Sequence, residues 1–167
     1  RISARSGEPY GRSTGRAAPS QRELLRGSRT NRRRASSLPT MLAFTFPGQG
    51  SQRPGMGRPW QDHESWELVD EASEVAGRDV GALLCDADAD ELRDTRNAQL
   101  TTFVSSLMVL DATERLGLEP SFCAGHSLGE YTALTATGAL GFDDGVHLVT
   151  ARAAAMHDAG LEQPGTM

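Results

Sequence analysis

The chain has 167 residues, room for about one domain. Its net charge of −5 is unevenly divided: residues 1–40 carry ten Arg against Glu8 and Glu23 (+8), and residues 41–167 carry seven Arg against twenty acids (−13). So acidic a body repels phosphate, which argues against nucleic acid as a partner, and no apolar run approaches the ~18 residues of a membrane span. Two cysteines, Cys85 and Cys123, make no disulfide framework and fit a reducing, cytoplasmic setting.

Residues 1–40 show no apolar periodicity and are rich in Arg, Ser and Gly, with Pro9, Pro19 and Pro39 spaced through them. Such a segment buries too little apolar surface to offset its ordering entropy, so it is expected to be a disordered basic leader. An organelle transit peptide and a nucleic-acid-binding arm both have this composition. The expectation adopted is non-native upstream sequence, with translation from Met41 and an ordered domain over 41–167.

Leu42-Ala43-Phe44-Thr45-Phe46 is a short apolar run closed by Pro47 and Gly48, which predicts a buried strand. Pro47 to Gln52 is a loop on turn chemistry alone. From Trp60 to Ala76 the pattern is helical, with Trp66, Val69, Ala72 and Val75 toward one face and Gly77 as the stop. Asp86 to Asp94 reads as an acidic surface turn with a short helix. Asn97 to Leu116 is the clearest helix, with Leu100, Phe103, Val104, Leu107, Met108 and Leu116 as its apolar stripe. Ser121 to Gly125 is a second short strand, and Leu128 to about Thr137 a helix. Asp143 or Asp144 would cap a last helix that turns Val146, Val149, Ala153 and Met156 to one side. Strand, helices, strand, tight turn, helix, helix is the order of an α/β fold with parallel strands.

Gly125-His126-Ser127-Leu128-Gly129 falls between the second strand and the following helix. A G-x-S-x-G sequence there can present the serine hydroxyl from a sharp turn, because the small flanking residues let strand and helix approach closely. The N–H of Leu128 and the helix N-terminus then face any oxyanion that develops beside the serine. An ordinary strand-to-helix turn could carry the same five residues in a chain with eighteen Gly. A nucleophilic serine also needs a base. His126 adjoins Ser127, but side chains on such a turn diverge, so it is expected to shape the turn or the oxyanion site. His63, His147 and His157 are expected at surface or packing positions, and Cys123 in the core.

Phe46-Pro47-Gly48-Gln49-Gly50-Ser51-Gln52, Gln99 near the start of the long helix, Gly125-His126-Ser127-Leu128-Gly129-Glu130-Tyr131 and Arg152 together closely resemble the malonyl-CoA:acyl-carrier-protein transacylases. The resemblance runs from Met41 to Met167. It implies an α/β, parallel-sheet hydrolase-like core with a nucleophile turn. It also implies transfer of malonyl from malonyl-CoA to the phosphopantetheine thiol of acyl carrier protein, in fatty-acid biosynthesis, with no bound cofactor or metal. By the same resemblance Ser127 is the acylated nucleophile, Gln49 and Leu128 belong to the oxyanion hole, His126 and Gln99 to the pocket, and Arg152 grips the malonyl carboxylate. The family's catalytic histidine and its small ferredoxin-like insertion lie beyond Met167. The chain is therefore expected to be an N-terminal fragment, inactive alone. A polyketide-synthase acyltransferase domain and a serine esterase or lysophospholipase-like hydrolase are the alternatives. A domain starting at Met41, and Leu128 after the serine, lean toward a stand-alone malonyl enzyme.

Overall fold

The computed structural model describes residues 41–163, so the expected leader over 1–40 lies outside the described residues. Two strands occur among them. β1 (Ala43–Phe46) and β2 (Phe122–Gly125) pair in parallel, with Ala43 opposite Phe122 and Phe46 opposite Gly125. A parallel pair needs a long crossover, and the chain between the strands supplies it as helices. These are α1 (Glu67–Ala76), α2 (Val80–Cys85), α3 (Ala89–Arg93) and α4 (Thr95–Arg115). After β2 come α5 (Leu128–Ala136) and α6 (Phe142–Glu162). The result is an α/β fold with a two-stranded sheet that is open at both edges. No helix among the described residues is long and apolar enough to cross a membrane.

The strands are less covered than their apolar runs predict. Only Phe46 of β1 is buried, and Phe122 of β2 is 58% exposed. Each strand has a single neighbour, so one side of each remains open. A groove of about 440 Å³ runs along β1 and the second half of α4, lined in part by Phe44, Trp60, Met108 and Val109.

α4 is the central element and packs against α1, α2, α3, α5 and α6. Every residue from Asn97 to Val104 is buried, which a one-sided stripe does not predict. Leu100, Phe103, Val104, Leu107 and Met108 of the expected stripe are buried, whereas Leu116 lies just past the helix and is 80% exposed. Asp94 caps α4 by accepting from the Arg96 N–H, a bond of the kind whose loss costs about 1 kcal/mol.

Two other expectations are corrected, and one helix is added. The helix expected over 60–76 is broken into 3₁₀ turns at Arg58–Trp60 and Glu64–Trp66 before α1 begins. His63 causes the break, because its imidazole accepts from the Ser65 N–H in the manner of a cap. The buried Ser65 then donates to Asp111 of α4 at 2.7 Å, fixing the turn to the core. α2 was not foreseen: Val80, Leu83, Leu84 and Cys85 are all buried, so the segment has no polar stripe to reveal a helical period. α6 starts at Phe142 with Gly141 as its cap residue, and Asp143 and Asp144 lie in its first turn. There they face the helix dipole favourably without capping.

Candidate active site

The end of β2 turns directly into α5. Gly125 closes the strand and Ser127 precedes the first helical residue, with φ 54° and ψ −107°. Among the described residues Ser127 is the only non-glycine with positive φ, a conformation that costs of order 1–3 kcal/mol and persists only when its surroundings enforce it. Here the enforcement is visible. A Cβ on Gly125 would overlap the Gly129 carbonyl group, and one on Gly129 would overlap the Phe46 carbonyl oxygen. Main chain thus touches main chain on both sides of the turn, and only glycine permits the contact. The His126 N–H donates to the Phe46 carbonyl at 3.2 Å, and the His126 carbonyl accepts from the Gly129 N–H at 2.9 Å. His126 therefore shapes the turn through its backbone. Its exposed side chain lies near Gly48 rather than bonded to Ser127.

Ser127 is exposed and its hydroxyl has one protein partner among the described residues, the Arg152 Nη2–H at 3.0 Å. Arg152 projects from α6 next to the buried positions Val149 and Ala153. Its other terminal nitrogen, Nη1, donates to Gln99 Oε1 at 2.5 Å. Gln99 is fully buried on α4, and its amide nitrogen donates to Gln49 Oε1 and to Met156 Sδ, both at 3.3 Å. Gln49 continues to Thr95 Oγ1 at 3.4 Å, a long contact. The 47–52 loop is fixed further by Gln52, which donates to the Leu92 carbonyl at 3.0 Å and accepts from the Gly50 N–H at 2.8 Å. Four elements distant in sequence thus converge: the loop after β1, the start of α4, the Ser127 turn and the middle of α6.

Of the six residues singled out from the sequence, Ser127, Arg152, Gln99 and Gln49 form one hydrogen-bonded chain. Leu128 stands beside them: its side chain is buried in the core, and its N–H is the first of α5, with no acceptor inside the helix. Met156, Thr95, Gln52 and Tyr131 were not assigned contacts at the sequence level. Met156 lies four residues after Arg152, one helical turn along, and that spacing was the available signal for it. Cys123 packs against the core, and burial raises its thiol pKa, so it is the less reactive candidate beside Ser127. None of the four histidines bonds to the Ser127 hydroxyl.

α4 and α6 also meet through a polar contact at the cap of α4. Asp94 Oδ2 is 3.5 Å from His157 Nδ1 and bonds to the Arg96 guanidinium. The Arg96 side chain, more than the opposing burial, lowers the Asp94 pKa to about 2, and its N–H and His157 add to the effect. The folded pKa lies below the unfolded one, so this stabilisation is present above about pH 4 and disappears as pH falls toward 2. Asp94→Asn keeps the cap but removes the charge. It is expected to cost about 1–2 kcal/mol at pH 7 and to flatten the acid limb of a pH series of urea denaturations.

The chain belongs to the acyl transferase domain family, whose model matches residues 43–167. Over 128 residues it is 43% identical to the malonyl CoA-acyl carrier protein transacylase of Bacillus subtilis, a match spanning 75% of this chain and 40% of that protein. An acyl-carrier-protein S-malonyltransferase from Burkholderia pseudomallei has the same fold, with a TM-score of 0.67 and 47% identity over 70% of this chain and 38% of that one. A type II PKS malonyl-transacylase in complex with its acyl-carrier protein aligns with a TM-score of 0.67 and 35% identity, over 72% of this chain and 40% of the other. The chain therefore spans about two fifths of the length of the relatives it matches.

Proposed function

We propose that this chain carries the nucleophile and the acid-recognition half of a malonyl-CoA:acyl-carrier-protein transacylase. The observation that supports it best is the 3.0 Å contact between Arg152 Nη2 and Ser127 Oγ. In malonyl-CoA one methylene separates the free carboxylate from the thioester carbonyl. A group that grips the carboxylate must therefore sit within a few ångströms of the nucleophile. A guanidinium does so with two parallel N–H donors, each charge-assisted bond contributing about 1.5–3 kcal/mol.

In this reading Ser127 Oγ attacks the thioester carbonyl. The oxyanion is held by the Leu128 N–H at the positive end of α5 and by the loop carrying Gln49. The tetrahedral adduct collapses to a malonyl ester on Ser127 and releases coenzyme A as its thiol. The phosphopantetheine thiol of acyl carrier protein then attacks the ester and restores the serine, a ping-pong course. None of the described histidines bonds to Ser127 Oγ, and in this reading the proton of Ser127 goes to the histidine that the family resemblance implies beyond the described residues. The solved relative in complex with an acyl-carrier protein supports the choice of acceptor. Its polyketide context also keeps polyketide biosynthesis as the second setting for the same reaction.

Arg152→Ala separates malonyl transfer from hydrolase chemistry. In the whole protein kcat/KM for malonyl-CoA is expected to fall about 30- to 100-fold, with uncharged acyl groups gaining ground in competition. A serine hydrolase with an apolar acyl pocket would scarcely respond. An unchanged acyl preference in steady-state assays with malonyl-CoA and acetyl-CoA would refute the carboxylate role.

A further inference from the structure

We propose that Tyr131 is a positioning residue for Arg152: its ring takes the place of a counter-ion and holds the guanidinium ready for an anionic acyl group. This rests on the malonyl reading above and adds to it the means by which the cation is kept available. Tyr131 lies four residues after Ser127, one helical turn further along α5, and so on the same side of the helix as the serine. Arg152 Cζ stands over the Tyr131 ring, 5.6 Å from its centroid and within the range of a cation–π attraction. Both residues are half-buried. Arg152 is thus held from three directions, by Gln99 of α4, Ser127 of the turn and Tyr131 of α5.

What is missing from this surround is a carboxylate. Among the described residues no Asp or Glu forms an ion pair with Arg152, nor with Arg53 or Arg78, whereas Arg58, Arg93 and Arg96 each have one and Arg115 has three. A carboxylate at this point would orient the guanidinium but would have to be displaced by an incoming anion. An aromatic face attracts the cation without using its N–H donors, which lie in the guanidinium plane. The two neutral oxygens on Arg152, from Gln99 and Ser127, likewise leave its charge uncompensated. The ring, not the hydroxyl, is the working part: among the described residues the Tyr131 hydroxyl has no hydrogen-bond partner, whereas the ring meets Arg152.

The test measures kcat/KM of the whole protein for malonyl-CoA and for acetyl-CoA in Tyr131→Phe, Tyr131→Leu, Tyr131→Met and Arg152→Ala, and in Tyr131→Leu combined with Arg152→Ala. Tyr131→Phe should stay within about twofold of the parent for both substrates, since the ring is kept. Tyr131→Leu and Tyr131→Met, which differ in how well they refill the space, should each lose about three- to thirtyfold with malonyl-CoA, mainly through KM, and little with acetyl-CoA. In the Arg152→Ala background Tyr131→Leu should cause no further loss, the mark of one residue acting through the other. Equal losses with both substrates, additive losses in the double variant, or a Phe variant as poor as Leu would overturn the proposal while leaving the malonyl reading intact. If Arg152→Ala itself leaves the preference for malonyl unchanged, the malonyl reading fails and the role of Tyr131 fails with it.

Discussion

Replacing Ser127 by Ala is expected to remove acyl loading, lowering turnover at least ~10³-fold, because no other described nucleophile occupies the turn. Ser127→Gly should be equally inactive but should differ in stability. The backbone at 127 has φ 54° and ψ −107°, and an alanine there retains the Cβ that makes this conformation costly. Glycine does not, so Ser127→Gly should gain about 1 kcal/mol over Ser127→Ala, less the extra entropy glycine brings to the unfolded chain. Chemical denaturation of the three proteins measures the difference. An Ala variant more stable than the Gly variant by the full entropy difference, about 0.4–1 kcal/mol, would mean that the turn holds no strain.

The second large effect lies beside the serine. Gly125→Ala places a methyl group into the Gly129 carbonyl, which is main chain and has no rotamer by which to withdraw. β2 and α5 would have to separate, and α5 is also where Leu128 enters the core. A destabilisation on the order of 4 kcal/mol is expected, with loss of the Ser127 geometry even in whatever protein remains folded. Gly160→Ala is the contrast, since that residue lies in α6 with nothing near the position of a new Cβ. Helix propensity alone should make it more stable by about 0.5–1 kcal/mol. A Gly125→Ala protein with an unchanged denaturation midpoint would contradict the close strand–helix approach.

The parts of this structure legible in the sequence are those written in local pattern. The Asn97-to-Leu116 reading overlaps α4 to within two residues at each end, because its apolar spacing is long and regular. The Ser127 turn is legible because two glycines and a short strand enforce it within a few residues. What was missed depends on distant partners. Six residues of α2 bury almost every side chain and so carry no period. The break before α1 depends on His63 bonding a neighbouring N–H and on Ser65 reaching Asp111, 46 residues on. Gln99 and Arg152 were singled out by resemblance. Their bond across 53 residues, and the one from Arg152 to Ser127 across 25, exist only once α6 is packed against α4 and α5. Tyr131 was visible as part of the motif around Ser127, but nothing in its helical spacing says that a cation from α6 will stand over its ring.

Malonyl transfer through Ser127 under the control of Arg152 is tested most directly by locating the acyl group itself. The whole protein is exposed briefly to equal amounts of malonyl-CoA and acetyl-CoA, quenched in acid, digested with pepsin and sequenced by tandem mass spectrometry. The predicted result is a malonyl ester on Ser127 in large excess over acetyl, with the excess lost in Arg152→Ala. Malonyl on a different residue, or an acyl mixture that Arg152→Ala leaves unchanged, would contradict it.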